Sequence, residues 1–189
     1  MTEDTLVVVY PSLFAENNVD QLIENIKKIL KIRNLKFRKI TKDDFLICVH
    51  ADDPVFVSSA IALLFGIKQI VIAKKIKNDF KTIVSQVGEL GSNLLLKGEK
   101  FFVKADGNAK GFVIKDLELA ATSSIIQKNH KISAKPGTES KHDKLLQIYV
   151  TKSNAYLCIF VDEGLGGAAN NSQLQKSVCC ITDEFSAVS

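Results

Sequence analysis

Residues 98–118, "GEKFFVKADGNAKGFVIKDLE", predict a strand, a loop and a helix in that order. We expect the strand over 100–105, a loop that contains Gly107 and Gly111, and the helix over 114–129. A helix N-terminus exposes unpaired N–H groups and the positive end of the helix dipole, which favour a bound phosphate. The segment therefore has two interpretations: a loop that binds an anion or a nucleic-acid backbone, or an ordinary strand-to-helix turn with surface lysines.

The glycines of this loop do not match a nucleotide-binding motif. Their spacing fits neither G-x-x-x-x-G-K-[ST] nor G-x-G-x-x-G, so we expect no nucleotide there. A second glycine-rich stretch, "EGLGG" at 163–167, fits either a flexible exit from a strand or a close approach of two backbones.

Positive charge is concentrated around residues 98–118. The whole chain has a formal net charge of +4. The stretch from Lys97 to Lys144 contains ten lysines and six acidic residues, so by itself it matches the net charge of the chain. A mildly basic balance of this kind suits nucleic acid as a partner.

The N-terminal part of the chain predicts the element order β-α-β-β-α-β. Helical spacing of apolar residues, a Pro near a helix start and a Gly near a helix end support the two helices. A polar turn, "TKDD" at 41–44, joins the second and third strands. This order is the split βαβ arrangement of ferredoxin-like domains. The strands are expected at 5–11, 36–40, 45–50 and 69–76, and the helices at 17–34 and 53–67.

The C-terminal part predicts a helix before residues 98–118 and a hairpin after them. The helix is expected over 79–95, and the second strand of the hairpin over 155–164. In "LQIYVT", the apolar residues Leu146, Ile148 and Val150 alternate with more polar ones. Such alternation predicts a strand with one face in solvent. Together the elements predict an α+β fold.

Length and composition indicate a soluble protein with a substantial core. The 189 residues, of which 46% are hydrophobic, fit one large domain or two small ones. The N-terminus has acidic residues where a signal peptide needs positive charge, and no run reaches the ~18 apolar residues of a membrane helix. We therefore expect a cytoplasmic protein without a membrane partner.

The reactive side chains show no catalytic or metal-binding pattern. His50, His130 and His142 lack the spacing of metal ligands, and no nucleophile-elbow motif is present. The four cysteines lie in apolar, strand-like runs, which predicts buried reduced thiols. We expect no catalytic residue, no metal and no cofactor. The cysteines are Cys48, Cys158, Cys179 and Cys180.

Five segments, taken in order, resemble a known family. They are "AIALLFGIKQIVIAKKI", "DFKTIVSQVGE", "GEKFFVKADGNAKGFVIKDLE", "LLQIYVTKSNAYLCIFVDEGLGG" and "SVCCITDEFSAVS". Together they resemble the N-terminal part of the tRNA 4-thiouridine synthetases, the thiamine-biosynthesis-related tRNA sulfurtransferases. The resemblance implies a ferredoxin-like domain at 1–76, a THUMP domain at 77–167, and a segment at 168–189 with a linker, a strand stub and the start of a degenerate ATP-pyrophosphatase-like domain.

The resemblance also implies a function. In the family, the THUMP domain and its neighbour dock tRNA near the acceptor stem and 3′ end, and a C-terminal domain adenylates a uridine for sulfur transfer. Family members typically form dimers. Carried to this chain, the resemblance implies these RNA-binding candidates: Lys104, Asn108, Lys110, Phe112 and Lys115, with Lys135 and Lys144 as a second cluster.

The sequence departs from the family pattern at two places. The basic loop holds Asp106, Gly107 and Asn108 without any Arg, which predicts modest RNA affinity. In the loop that would hold pyrophosphate, two carboxylates replace glycines and would repel phosphate, so we expect no ATP there. This degenerate loop consists of Thr182, Asp183, Glu184, Phe185 and Ser186.

Three hypotheses follow. The first is a tRNA-binding module without catalysis of its own. The second is part of an ATP-dependent tRNA sulfurtransferase, whose catalytic domain follows in a longer chain or belongs to a separate subunit. The third is a regulatory ferredoxin-like module that dimerises and binds a small ligand; only the predicted fold supports it.

Overall fold

The chain has a mixed α/β fold, in which one curved sheet has helices on one face. This is seen in a computed structural model that describes residues 5–128 and 133–169. A 3-10 helix, Leu13–Asn18, precedes α1. In chain order, the elements are β1 (Thr5–Pro11), α1 (Val19–Ile32), β2 (Phe37–Asp43), β3 (Leu46–Ala51), α2 (Pro54–Ile61), β4 (Ile67–Lys77), α3 (Phe80–Leu94), β5 (Lys100–Gly107), α4 (Ile114–Lys128), β6 (Lys135–Pro136), β7 (Lys144–Val150) and β8 (Asn154–Gly166).

The eight strands of the described residues form a single sheet in the order β2-β3-β1-β4-β8-β7-β5-β6. Only β5 pairs in parallel, with β6 on one side and β7 on the other. The long strands β4 and β8 pair antiparallel along almost their whole length, from Ile67 opposite Gly166 to Lys77 opposite Asn154. This ladder joins the N-terminal and C-terminal halves into one continuous sheet.

The predicted order β-α-β-β-α-β is present over Thr5–Lys77; most boundaries shift by one or two residues, and two differ by more than that. Strand β2 continues through 41–43, and the turn follows at Asp44, which has φ of +57°. Helix α2 ends at Ile61 rather than 67. The apolar run continues past the helix, but Gly66 donates a backbone hydrogen bond to Gly166 and accepts one from Ser12. These tertiary bonds set the chain direction and override the helical pattern.

The helices cover one face of the sheet in two groups. Helices α1 and α2 pack over β1, β3 and β4, with Leu22, Ile26 and Leu30 of α1 fully buried. Helix α4 contributes Leu117, Ala121 and Ile125 to a second cluster over β5, β7 and β8, to which α3 also contributes. Helices α1, α2 and α4 thus bury their apolar residues against the strands of their own half, whereas α3 packs mainly against α4.

The prediction that one face of β7 lies in solvent is wrong. Gln147, Tyr149 and Thr151 are 5%, 1% and 0% exposed. They belong to the face of the sheet on which residues 5–128 and 133–169 place no helix, where Tyr149 packs with Tyr156 and Cys48 in a third apolar cluster. The alternation of apolar and more polar residues in β7 is real, but other strands of the same sheet cover the face that carries the more polar ones.

The sheet covers this face because it curls strongly. The Nδ2 atom of Asn154, at the start of β8, donates to Oδ2 of Asp43 at the end of β2 over 2.8 Å. Four strand spacings separate β2 from β8, which would be about 19 Å in a flat sheet. The curled sheet therefore encloses a polar network in which Thr151 and Tyr156 also donate to Asp43.

Cys48 and Cys158 are buried free thiols, as predicted. Burial raises the pKa of the Cys48 thiol to about 11, so this thiol is neutral at physiological pH. In the described ranges 5–128 and 133–169, no helix has the length and apolarity needed to cross a membrane, and no cluster of metal-ligand side chains occurs. Cys179, Cys180, His130 and the strand stub lie outside these ranges.

Candidate nucleic-acid interface

Residues 98–118 form the predicted strand, loop and helix, and a glycine holds the loop against β7. Gly107 has φ of +120°, and a Cβ atom at this position would lie 2.0 Å from the carbonyl oxygen of Val150. The next residue, Asn108, donates its backbone N–H to the same oxygen over 3.0 Å. Only glycine permits this approach, which anchors the start of the basic loop on the end of β7.

Two of the predicted lysines meet an acidic residue at the outer edge of β5. Lys104 Nζ lies 2.9 Å from Oε1 of Glu139, and both side chains are largely solvated. The hydrogen bond raises the pKa of Lys104 and lowers the pKa of Glu139. The charge of Lys115 also lowers the pKa of Glu139, so Lys115 lies near the same carboxylate. Lys104 is thus brought to the site but is already paired.

Three of the predicted lysines, Lys115 included, are available for a ligand. Lys110, Lys115 and Lys135 are exposed. Within the part of the chain that the structure describes, none of the three makes a side-chain hydrogen bond or an ion pair. Asn108 also exposes its side chain beside Lys110 in the loop. These four side chains can contact phosphate or ribose without first breaking an internal bond.

Several acidic side chains of this region face the protein's own backbone. Glu118 of α4 accepts from the backbone N–H of Ala105 over 2.9 Å, at the open edge of β5. Asp143 accepts from the N–H of Lys100 over 2.8 Å. Both carboxylates satisfy strand-edge donors, so the exposed lysines face solvent here together with Asp116, the exposed acidic residue next to Lys115.

The last two predicted residues have different positions. Phe112 is half-buried in the core under α3, with its ring centroid 5.4 Å from that of Phe80. Lys144 is opposite Phe101 in the β5–β7 ladder and so faces the helix side, whereas Lys104 is opposite Gln147 on the other side. The structure therefore assembles Lys104, Lys110 and Lys115 around one loop but separates Lys144 from them.

The structure adds residues that sequence reasoning missed. Lys100 is the register partner of Lys135 through the two-residue strand β6, which is too short to leave a pattern in the sequence. Phe102 lies on the same side of β5 as Lys104, with its ring centroid 5.8 Å from that of His142. Rings beside lysines are suited to stacking with bases, which lysines alone cannot provide.

A shallow groove lies beside some of these groups. It lies between the open edge of β5 and helix α4, has a volume of about 290 Å³, and includes Phe102, Lys115 and Pro136 in its lining. Lys115 is the one lysine among its lining residues, which also include Glu118 and apolar side chains. The groove thus offers an apolar surface for a base or ribose, and the lysines outside it contribute the charge for a phosphate backbone, without base specificity. The predicted degenerate loop, Thr182 to Ser186, lies outside the described residues and adds nothing to this surface.

No family model matches the chain, and no curated protein matches its sequence. Solved structures match its fold. PH1313 from Pyrococcus horikoshii Ot3 has a TM-score of 0.72 and 17% identity, covering 86% of this chain and 56% of that one. A 4-thiouridine synthetase, solved as an RNA complex with bound ATP, has a TM-score of 0.64 and 16% identity, covering 87% and 43%.

A third similar structure, a possible methylase from Clostridium difficile 630, has a TM-score of 0.55 and 12% identity, covering 82% of this chain and 40% of that one. At these identities the likeness concerns the fold. The chain spans about half the length of the solved structures it resembles. The mixed α/β fold is therefore shared with part of an RNA-bound synthetase and part of a possible methylase.

Proposed function

We propose that this chain is an RNA-binding module that docks tRNA through the lysines around the β5–α4 loop. The observation that carries the proposal is the set of exposed, unpaired lysines Lys110, Lys115 and Lys135 beside an anchored loop. The fold it shares with an RNA-bound 4-thiouridine synthetase supports the same function.

In finer detail, we propose a ferredoxin-like domain over 1–76 and a THUMP domain over 77–167. The strand order β2-β3-β1-β4 with two helices on one face supports the first, and the strand–loop–helix with its following hairpin supports the second. We further propose that the module works in the cytoplasm and that the docked region of the tRNA is the acceptor stem with its 3′ end.

The test is binding of tRNA across a salt series. We expect the affinity to fall steeply as salt rises, because lysines that neutralise phosphates release counterions. A tRNA that lacks its 3′ CCA end should bind more weakly than the intact molecule. No binding at low salt, or binding that salt leaves unchanged, contradicts an RNA-binding function. Equal binding of intact and truncated tRNA contradicts docking at the 3′ end.

A second candidate is the substrate-docking part of a tRNA sulfurtransferase. Its support is that the chain covers 43% of the synthetase, which leaves more than half of that protein unmatched. In this version a catalytic domain, following in the chain or separate, supplies the chemistry, and a pair of copies assembles the site. Sulfur transfer to tRNA in the presence of ATP and that catalytic domain, with no transfer when this chain is omitted, distinguishes the second candidate from the first.

A further inference from the structure

An apolar groove lies at one end of the β4–β8 ladder, where Ile67 pairs with Gly166. The other end of that ladder is at Lys77 and Asn154. The walls of the groove are the 3-10 helix and the last residues of β8, and its volume is about 410 Å³. Leu13 and Phe14 on one wall are 74% and 70% exposed, and Leu165 on the other is 56% exposed. A compact set of exposed large apolar side chains is typical of a surface that contacts another apolar segment or molecule.

The chain leaves the described structure beside this groove. Gly167 lines it, and Ser12 donates a hydrogen bond to the carbonyl oxygen of Gly167. Ala169 is 2% exposed and packs so closely on Gly66 that a Cβ atom added there would lie 2.9 Å from the Cβ of Ala169. Residues 170–189 therefore begin at a fixed point next to the groove.

The residues that follow contain an apolar run of their own. Val178 to Ile181 reads "VCCI", and Phe185 follows four residues later. Val178 lies nine positions after Ala169, and that length spans up to about 30 Å when extended, which is enough to reach any part of the groove. An apolar groove and an apolar run are thus within reach of each other in one molecule.

We propose that residues 178–185 of this chain bind the groove between Leu13, Phe14 and Leu165. Burial of both apolar surfaces drives the contact. The tether gives the segment a high effective concentration at the groove, so it competes well against a second copy of the chain. The groove lining holds Lys68, which can pair with Asp183 or Glu184 of the segment, and also Glu163, so charge is balanced there and the apolar contact carries the assignment.

The native cysteines of the segment report on the contact. Cys179 and Cys180 are the probes, and maleimide modification of each is followed by peptide mass spectrometry in the full chain. The reference is a synthetic peptide with the sequence of residues 170–189. We expect modification roughly tenfold slower in the chain than in the peptide, because the thiols are held against an apolar surface. The rate should not depend on protein concentration.

A matched pair of variants locates the contact. Leu13→Asp places a charge in the groove, whereas Ile32→Asp makes the same change at a position on α1 that is also 74% exposed and does not line the groove. Leu13→Asp should raise the modification rate close to that of the peptide, and Ile32→Asp should leave it slow. Leu165→Asp, on the opposite wall, should act like Leu13→Asp.

Three results overturn the proposal. The first is modification of both thiols at the peptide rate in the unsubstituted chain. The second is slow modification that neither Leu13→Asp nor Leu165→Asp accelerates. The third is protection that disappears on dilution, which assigns the groove to a second copy of the chain.

Discussion

At the scale of single residues, Gly107 positions the candidate RNA-binding loop. A side chain there would be strained by the positive φ and would also collide with the carbonyl oxygen of Val150. Gly111, four residues later, has φ of +96° but nothing within 4 Å of an added Cβ. The two glycines of the loop therefore serve different purposes: one needs both conformation and space, the other only conformation.

Gly107→Ala should lower the free energy of unfolding by about 1–3 kcal/mol from backbone strain alone, with the collision adding to that cost. Gly111→Ala, which has the strain without the collision, is the control and should cost less. Chemical denaturation of the three proteins measures the difference. Equal losses for the two variants would show that the contact with Val150 does not constrain the loop.

The enclosed face of the sheet holds titratable groups that are stable only when neutral. Burial raises the pKa of Cys48 to about 11 and also raises the pKa values of Tyr149, Tyr156 and Cys158. In the unfolded chain, Cys ionises near pH ~8.5 and Tyr near pH ~10. Since the folded state holds these protons more tightly, its stability is fully present below about pH 8.5 and falls as the pH rises.

We therefore expect the free energy of unfolding to decline between about pH 8.5 and pH 11, by up to about 1.4 kcal/mol per pH unit for each group that ionises on unfolding. Guanidinium denaturation at several pH values measures the decline. Cys48→Ala, which removes one such group, should make it shallower. A stability that stays constant up to pH 10.5 would mean that water reaches these side chains.

At the scale of elements, β7 shows why sequence periodicity gave only part of the answer. Its alternation correctly predicted a strand with Leu146, Ile148 and Val150 toward the helices. Alternation cannot reveal what lies over the second face, because that depends on how far the sheet curls. Tyr149 can be buried there because its hydroxyl donates to Gln69 and accepts from Gln147 over 3.0 Å.

Tyr149→Ala should destabilise the fold by about 3–5 kcal/mol, the usual cost of removing a large buried aromatic side chain. Phe160→Ala, on the neighbouring strand β8, removes an aromatic side chain that is 51% exposed and should cost clearly less. Thermal or chemical denaturation compares them. Similar small losses of stability for both variants would show that Tyr149 is exposed to solvent, as the sequence pattern alone predicted.

Strand β6 and the groove beside it could not be predicted. A two-residue strand leaves no periodic pattern, and it is β6 that places Lys135 beside Lys100. The partner of Lys104 could not be predicted either, since Glu139 is 35 residues away in the chain. By contrast, helices α3 and α4 were predictable, because local apolar spacing is enough to define them.

At the scale of the whole molecule, the long β4–β8 ladder is the main feature. It joins long strands of the two halves over 10 or more paired positions. The strand that precedes the RNA-binding loop and the strands under the N-terminal helices therefore belong to one sheet. Sequence reasoning predicted the elements of each half but not this connection, because pairing between strands distant in sequence depends on the complete fold. A rigid connection would let both halves contact one RNA in a fixed relative orientation.

The charge-reversal pair Lys110→Glu with Lys115→Glu tests RNA binding by this surface most directly. The control pair, Lys28→Glu with Lys31→Glu, makes the same charge change on exposed residues of α1. Affinity for tRNA is measured for each protein across a salt series. We predict that the loop pair weakens binding at least about tenfold and flattens the salt dependence by roughly one unit of slope per lost phosphate contact, while the control pair has a small effect. Equal losses for both pairs, or no loss for the loop pair, would contradict docking through the β5–α4 loop.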